Sequence, residues 1–266
     1  MKKLVKILAI VMVAALALTA LYACGDNNSN TNTETTTAAN GEQAPETKKL
    51  IMGTNAAFPP YEYYEGDKII GIDAEVAALI AEKLGMELEI KDMDFNGIIS
   101  AVQNGVVDMG MAGMTVNEER LLSVDFSTSY AKGVQVVIVK ADSGIATLDD
   151  LADKTIGVQE ATTGDIYSTD DFGEENVKRY TNGAAAVAAL QSGIVDAVII
   201  DNEPAKAFVA ANDGLAILET AYAEEDYAIA VAKDNAELLG KINGALAELT
   251  ADGSIQAIVD KYIPAE

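Results

Sequence analysis

Histidine is absent from this chain and cysteine occurs once, at Cys24, so most side-chain chemistry is excluded at the outset. A serine or cysteine nucleophile needs an adjacent base, and neither a Ser-His-Asp nor a Cys-His arrangement can be built. Zinc sites that rely on imidazole are equally impossible. No Gly-x-x-x-x-Gly-Lys-[Ser/Thr] phosphate loop and no Gly-x-Gly-x-x-Gly turn occurs. Paired carboxylates remain as acid and base, but among 42 acidic residues most pairs must be solvated surface. A formal charge of −24 repels a phosphate backbone and argues against nucleic acid as a partner. An acidic surface that keeps an exposed protein soluble explains that charge well enough. Neither cofactor nor metal is expected, and the polar groups are left mainly with binding to do.

The lone cysteine has a telling position. Lys2, Lys3 and Lys6 precede an apolar run from Ile7 to Ala20, and Leu21-Tyr22-Ala23-Cys24 follows. This is the layout of a secretory signal over residues 1–23, and the run is short for a membrane span of about 20 apolar residues. The last four residues resemble the lipobox of bacterial lipoproteins, with Tyr22 bulkier than the motif's usual residue there. Lipidation of Cys24 would hold the mature chain at the outer face of the cell membrane with no spanning helix. From Gly25 to Lys48 there is no aromatic and no branched aliphatic residue. Residues 24–48 therefore read as the lipidated cysteine and a flexible tether, its ends roughly 25–30 Å apart as a coil.

Short strands and helices alternate through the remaining body. Leu50–Gly53 reads as a strand, followed by a loop through Pro59 and Pro60. Asp73 can N-cap a helix whose Val76, Leu79, Ile80 and Leu84 recur at helical spacing, with Gly85 as the stop. Met86, Leu88 and Ile90 alternate with charged residues, a half-buried strand. A helix ends at Gly105, Val106–Ala112 reads as a buried strand, and Asn117 opens a helical turn that carries Arg120. Further on, Thr147 and Asp150 form a capping-box pattern, Thr155–Val158 and Asp196–Ile200 read as strands, and helices follow at Val187–Gln191, from Glu203, and over Ala236–Leu249. The alternation predicts parallel α/β sheets.

One word occurs twice. Ala101-Val102-Gln103-Asn104-Gly105-Val106-Val107-Asp108 matches Ala189-Leu190-Gln191-Ser192-Gly193-Ile194-Val195-Asp196 as helix end, glycine stop and buried strand. Two similarly built lobes follow from this, with a ligand crevice between them beyond the carboxyl ends of the strands. Gly133–Lys140 and Tyr227–Lys233 are the segments that would link them. The first lobe is then discontinuous, 49–136 with 229–266, and the second spans 137–228.

The body resembles the bacterial solute-binding proteins of polar amino acid ABC transporters, family 3 of the extracellular solute-binding proteins. The resemblance is carried in order by Gly71–Val76, by Met93–Ile99, by Ala112–Arg120 leading to Val124–Ser127, by Thr147–Gly164 and by Ala251–Tyr262. It implies the two-lobed type II periplasmic-binding-protein fold, with two hinge strands and a ligand cleft between the lobes. It also implies roles. Arg120 would grip an α-carboxylate through its planar fork, aided by the backbone at Gly113 and the amide and hydroxyl of Thr115. Asp201 would accept from the α-ammonium, Thr163 would contribute from the second lobe, and Phe58 and Phe95 would sandwich the ligand side chain.

Some family members carry an acidic residue where this chain has Asn55, which offers a donor and an acceptor but no charge. That predicts a neutral polar amino acid as ligand, with Glu160 nearby leaving a basic one open. The resemblance further implies a monomeric, non-enzymatic receptor that delivers its ligand to a permease and its ATPase. The alternatives are a cyclohexadienyl-dehydratase-like enzyme on the same fold and a ligand-sensing surface lipoprotein.

Overall fold

The computed structural model describes residues 48–264, so the signal segment, Cys24 and nearly all of the tether lie outside the described residues. Two sheets organise the rest. The first runs in the order Glu87–Asp92, Lys49–Thr54, Met109–Gly110, Ala230–Ala232, Val124–Phe126. The second runs Val177–Tyr180, Ile156–Gln159, Ala197–Asp201, Ala131–Lys140, Leu215–Ile217, and Ala223–Tyr227 also pairs with Ala131–Lys140. A small hairpin sheet, Ala57–Phe58, Glu62–Glu65 and Lys68–Ile70, caps the first.

The sheets are mixed rather than wholly parallel. Strands joined through helices pair in parallel, as Lys49–Thr54 does with Glu87–Asp92 and Ile156–Gln159 does with both its neighbours. The long strand Ala131–Lys140 and the returning strands pair antiparallel. All ten residues of Ala131–Lys140 belong to the second sheet. The chain therefore leaves the first sheet at 127–130, ahead of the division at 136/137 read from the sequence, and returns at 228–229. Ala223–Tyr227 along its first half and Leu215–Ile217 along its last fix that strand in one sheet.

The repeated word does the same work in each lobe. Gly105 (φ 66°) and Gly193 (φ 72°) take the left-handed conformation that ends a helix. Val107 and Val195 are then buried, and Asp108 and Asp196 accept from the backbone N–H groups of Ile51 (2.7 Å) and Thr155 (2.9 Å). Val106 is exposed, however, and the strand expected over Val106–Ala112 shrinks to Met109–Gly110. The glycine turn needs three residues to bring the chain back into line.

Asp73 is not the cap of its helix. Helix Ile72–Lys83 starts after Gly71, and Asp73 lies fully buried within its first turn. The cap expected at Asn117 is present, its side chain accepting from Arg120 N at 2.8 Å, as is the Thr147–Asp150 capping box. No helix among the described residues is long and apolar enough to cross a membrane.

Candidate functional site

The parallel strands of both sheets point their carboxyl ends at one cleft. Lys49–Thr54 ends next to Asn55, Ile156–Gln159 feeds the loop before helix Thr163–Phe172, and Ala197–Asp201 ends on Asp201 itself. The cleft, with its opening to solvent counted, spans about 440 Å³. Every site residue predicted from the sequence lines it: Asn55, Phe58, Phe95, Gly113, Thr115 and Arg120 from the first lobe, Thr163 and Asp201 from the second. Sequence reasoning missed Glu62, Gln135, Gln159 and Thr162, which line it too.

Arg120 is 6% exposed and is held on three sides. Nη1 donates to the Thr115 carbonyl at 2.7 Å, Nη2 donates across the cleft to the Ala161 carbonyl at 3.0 Å, and the Phe95 ring lies 5.3 Å from the guanidinium carbon. None of the ion pairs found among the described residues involves Arg120. Burial holds its pKa below the usual arginine value, with the field of Glu225 opposing. Arginine stays charged at any accessible pH. A buried cation without a carboxylate at contact distance, with N–H groups left over, has the chemistry to accept an anion.

Asp201 is its complement. Although it stands before helix Asn202–Ala211, its side chain makes no cap. Instead it accepts from Gln135 Nε2 at 2.8 Å and from the Tyr227 hydroxyl. Burial first, then the field of Glu225, push its pKa well above the carboxylate range, while the Gln135 amide and Arg120 pull the other way. A cation delivered to this carboxyl would restore its charge. Gln135 Nε2 also donates to Glu225 (3.0 Å), and Glu225 receives the Thr115 hydroxyl (2.9 Å). One polar chain thus runs from Thr115 of the first lobe through Glu225 and Gln135, on paired strands of the second sheet, to Asp201.

Several expected donors are already engaged. The Gly113 N–H, expected to face a carboxylate, donates to Asp73 Oδ2 at 2.8 Å. The Thr115 hydroxyl is committed to Glu225, so its contribution is restricted to other atoms. Asn55 receives the Gln159 amide at Oδ1 (2.9 Å) and donates to the Met93 carbonyl (3.0 Å), which makes it a bridge between the lobes. Thr163 opens a helix capped by Thr162, whose hydroxyl accepts from Asp165 N, and both threonines line the cleft at the helix N-terminus. Phe58 lies against Gly113, whose φ of 52° and lack of a side chain allow the approach. Phe58 stacks on Tyr61 (5.7 Å), which meets Tyr227 edge-on (5.3 Å).

A polar residue that interrupts an apolar strand was the available signal for those missed. Gln135 sits within Val134–Val139, and Gln159 ends Ile156–Val158. Glu62 lies between two tyrosines and pairs across the hairpin with Phe58. No group of three or more His, Cys, Asp or Glu side chains among the described residues could hold a metal ion.

Two mixed α/β lobes that share one cleft define a periplasmic binding protein. The model for bacterial extracellular solute-binding proteins, family 3, matches residues 50–265, and the chain belongs to that family. It is a solute-binding protein that works outside the cytoplasm. It is 38% identical over 265 residues to the arginine-binding extracellular protein ArtP of Bacillus subtilis, covering 97% of this chain and 98% of the relative. Among solved structures it is similar to the arginine-, lysine-, histidine-binding protein ArtJ of Geobacillus stearothermophilus (36% identity, TM-score 0.78, 82% of this chain and 96% of that one). It is also similar to an ancestral arginine-binding protein bound to glutamine (42% identity, TM-score 0.77, 82% of this chain and 98% of that one).

Proposed function

We propose that this chain captures a free L-α-amino acid by closure of its lobes and hands it to the permease of an ABC importer. The observation that carries the reading is the placement of Arg120 and Asp201 on opposite lobes, both buried and both facing one cavity. Arg120 takes the α-carboxylate together with N–H groups at the start of helix Thr163–Phe172, and Asp201 takes the α-ammonium. Each is buried, so a ligand lacking the carboxylate leaves the Arg120 charge unmatched, at a cost of several kcal/mol. One lacking the ammonium leaves Asp201 without the cation that restores its charge. The lobes hinge at 127–130 and 228–229. Such domain closure around a ligand is a known mode of periplasmic binding proteins.

Beyond its two poles the ligand meets Phe58, Phe95 and the linked amides of Asn55 and Gln159. Those amides carry no charge, which favours a neutral polar side chain such as that of glutamine. A basic side chain is the second reading. It is favoured by a neighbouring depression lined by Asp94, Phe95, Asn96, Glu160 and Thr181, where two carboxylates flank the same phenylalanine. The arginine-binding relatives support it as well. Lipidation at Cys24 tethers a monomer to the membrane, beside the transporter.

A thermal-shift screen of the twenty amino acids is the test. Ligand at 100 times its dissociation constant stabilises by about 2.7 kcal/mol. At this chain length that raises Tm by roughly 5–10 °C. A shift is expected with one chemical class of α-amino acid, and none with the corresponding amine or carboxylic acid. No shift with any amino acid overturns amino acid capture.

A further inference from the structure

Glu62 is a buried carboxyl that the capture of a zwitterion does not yet use. It lines the cavity, is 1% exposed, and neither of its oxygens has a hydrogen-bond partner among N–H and hydroxyl donors. Strand pairing fixes its position, since Glu62 stands opposite Phe58 in the hairpin sheet. An ionised carboxylate left in this state would be among the most costly groups in the molecule.

The neighbour that resolves the cost is Asp73. Its Oδ2 accepts from Gly113 N at 2.8 Å and from the Tyr130 hydroxyl at 2.8 Å, while its Oδ1 has no such donor. Glu62 and Asp73 face each other, and a proton on Glu62 supplies the missing donor. The surroundings favour that state. Burial acts first on Glu62, followed by the negative charges of Asp73 and Asp201, and all three hold its proton on. Tyr61 and Tyr130 face the same group and are themselves held neutral by burial. The cavity's one lining cation, Arg120, bears on Asp201. Asp73, with its two donors, is the partner that keeps the charge.

We propose that Glu62 is a neutral carboxylic acid of the ammonium subsite, which donates its proton to Asp73 and presents its other oxygen to the ligand's α-ammonium. The arrangement rests on the amino acid capture described above and extends it. An ammonium has three N–H bonds, and Asp201 alone satisfies them poorly. A neutral second acceptor adds a hydrogen bond without a further negative charge beside Asp201, whose partner Gln135 also binds Glu225. The same proton fixes Asp73, and through it the Gly113 backbone on which Phe58 rests.

The protonation state makes the test specific. E62Q keeps a donor for Asp73 and an acceptor for the ligand, so L-glutamine and L-arginine titrations should give affinities within about threefold of wild type for whichever amino acid binds. E62A loses both and should bind at least tenfold more weakly; if it fails to fold, the infrared measurement below stands without it. At neutral pH the infrared spectrum of wild type minus that of E62Q should leave a protonated-carboxyl band, the Asp201 carboxyl being common to both. That band should move on adding the amino acid. A loss of tenfold or more in E62Q at unchanged Tm would make Glu62 an anion and overturn the proposal. So would a wild-type-minus-E62Q spectrum that leaves no protonated-carboxyl band, or one whose band the ligand leaves unmoved. Binding by neither wild type nor variant would instead overturn the capture reading, and this proposal with it.

Discussion

Arg120 Nη2 donates to the carbonyl of Ala161 at 3.0 Å, tying the cavity's cation on the first lobe to a loop of the second. It has two companions: Gln159 Nε2 donates to Asn55 Oδ1 at 2.9 Å and Asn96 Nδ2 to Glu160 Oε2 at 3.1 Å. Consecutive residues of one loop therefore carry the second lobe's share of all three bonds. Ala161 holds its carbonyl there at φ 63°, an uncommon angle for alanine, with its own N–H fixed by Asp165 at 3.0 Å. The chain thus supplies part of its own closure energy. Replacing Gln159 by alanine removes one such bond, worth about 0.5–1.5 kcal/mol. Ligand affinity should fall roughly 2- to 10-fold by calorimetry, and small-angle scattering should show a more open unliganded form.

Arg120→Ala should cost far more. It deletes the anion receptor and the bonds to Thr115 and Ala161 together, and truncating one partner of a buried charge pair costs about 3–5 kcal/mol. Affinity should fall at least a hundredfold. Arg120→Lys keeps the charge but loses the planar fork, and one ammonium cannot reach both carbonyls and the ligand in the same geometry. It should bind more weakly than wild type and more tightly than the alanine variant. Micromolar binding retained by Arg120→Ala would remove the carboxylate role.

What the sequence made legible divides along physical lines. Periodicity and glycine stops gave the strand–helix alternation, because local backbone preferences decide it. The repeated word at 101–108 and 189–196 pointed to two lobes, since burial of Val107 and Val195 and the Asp108 and Asp196 anchors are local needs met twice. Arg120, Asp201, Phe58 and Phe95 were reachable through resemblance, and they do line one cavity. The partners of those residues were not reachable. Asp73 looked like a helix cap by position, yet its carboxylate serves Gly113 and Tyr130, some 40 and 57 residues away in sequence. Gln135 and Glu225 meet only because two antiparallel strands of the second sheet lie side by side, a register that no local pattern encodes.

Gly113→Ala should damage both stability and binding. Gly113 sits at φ 52°, and an added Cβ would lie 2.8 Å from Phe58 Cε1. The left-handed conformation alone costs alanine about 1–2 kcal/mol. Phe58, wedged by Tyr61, has little room to retreat. Tm should fall by roughly 2–8 °C, at 2–4 °C for each kcal/mol. Binding should weaken as well, because the displaced ring lines the cavity. An unchanged affinity would mean that Phe58 is not a wall of the ligand site.

The Asp73–Glu62 pair predicts the pH dependence of folding. Burial raises the Asp73 pKa from its ordinary 3.8 to about 6, against the opposing pull of the Gly113 N–H, the Tyr130 hydroxyl and Glu62. A carboxyl whose folded pKa is raised contributes its stability below the unfolded pKa and loses it as pH climbs through the folded one. Wild type should therefore lose stability from this source between about pH 4 and pH 7, by roughly 3 kcal/mol if the whole shift is expressed. Glu62, whose pKa burial and then Asp73 hold well above the carboxylate range, acts with the same sign. The side chain introduced by Asp73→Asn cannot ionise, and its carbonyl can still accept from Gly113 and Tyr130. The difference in Tm between D73N and wild type should accordingly move in favour of the variant as pH rises from 4 to 7, when melting is followed by circular dichroism. A difference that stays constant, or that moves toward wild type, would mean that Asp73 is already ionised at pH 4 and that the two carboxyls do not share a proton.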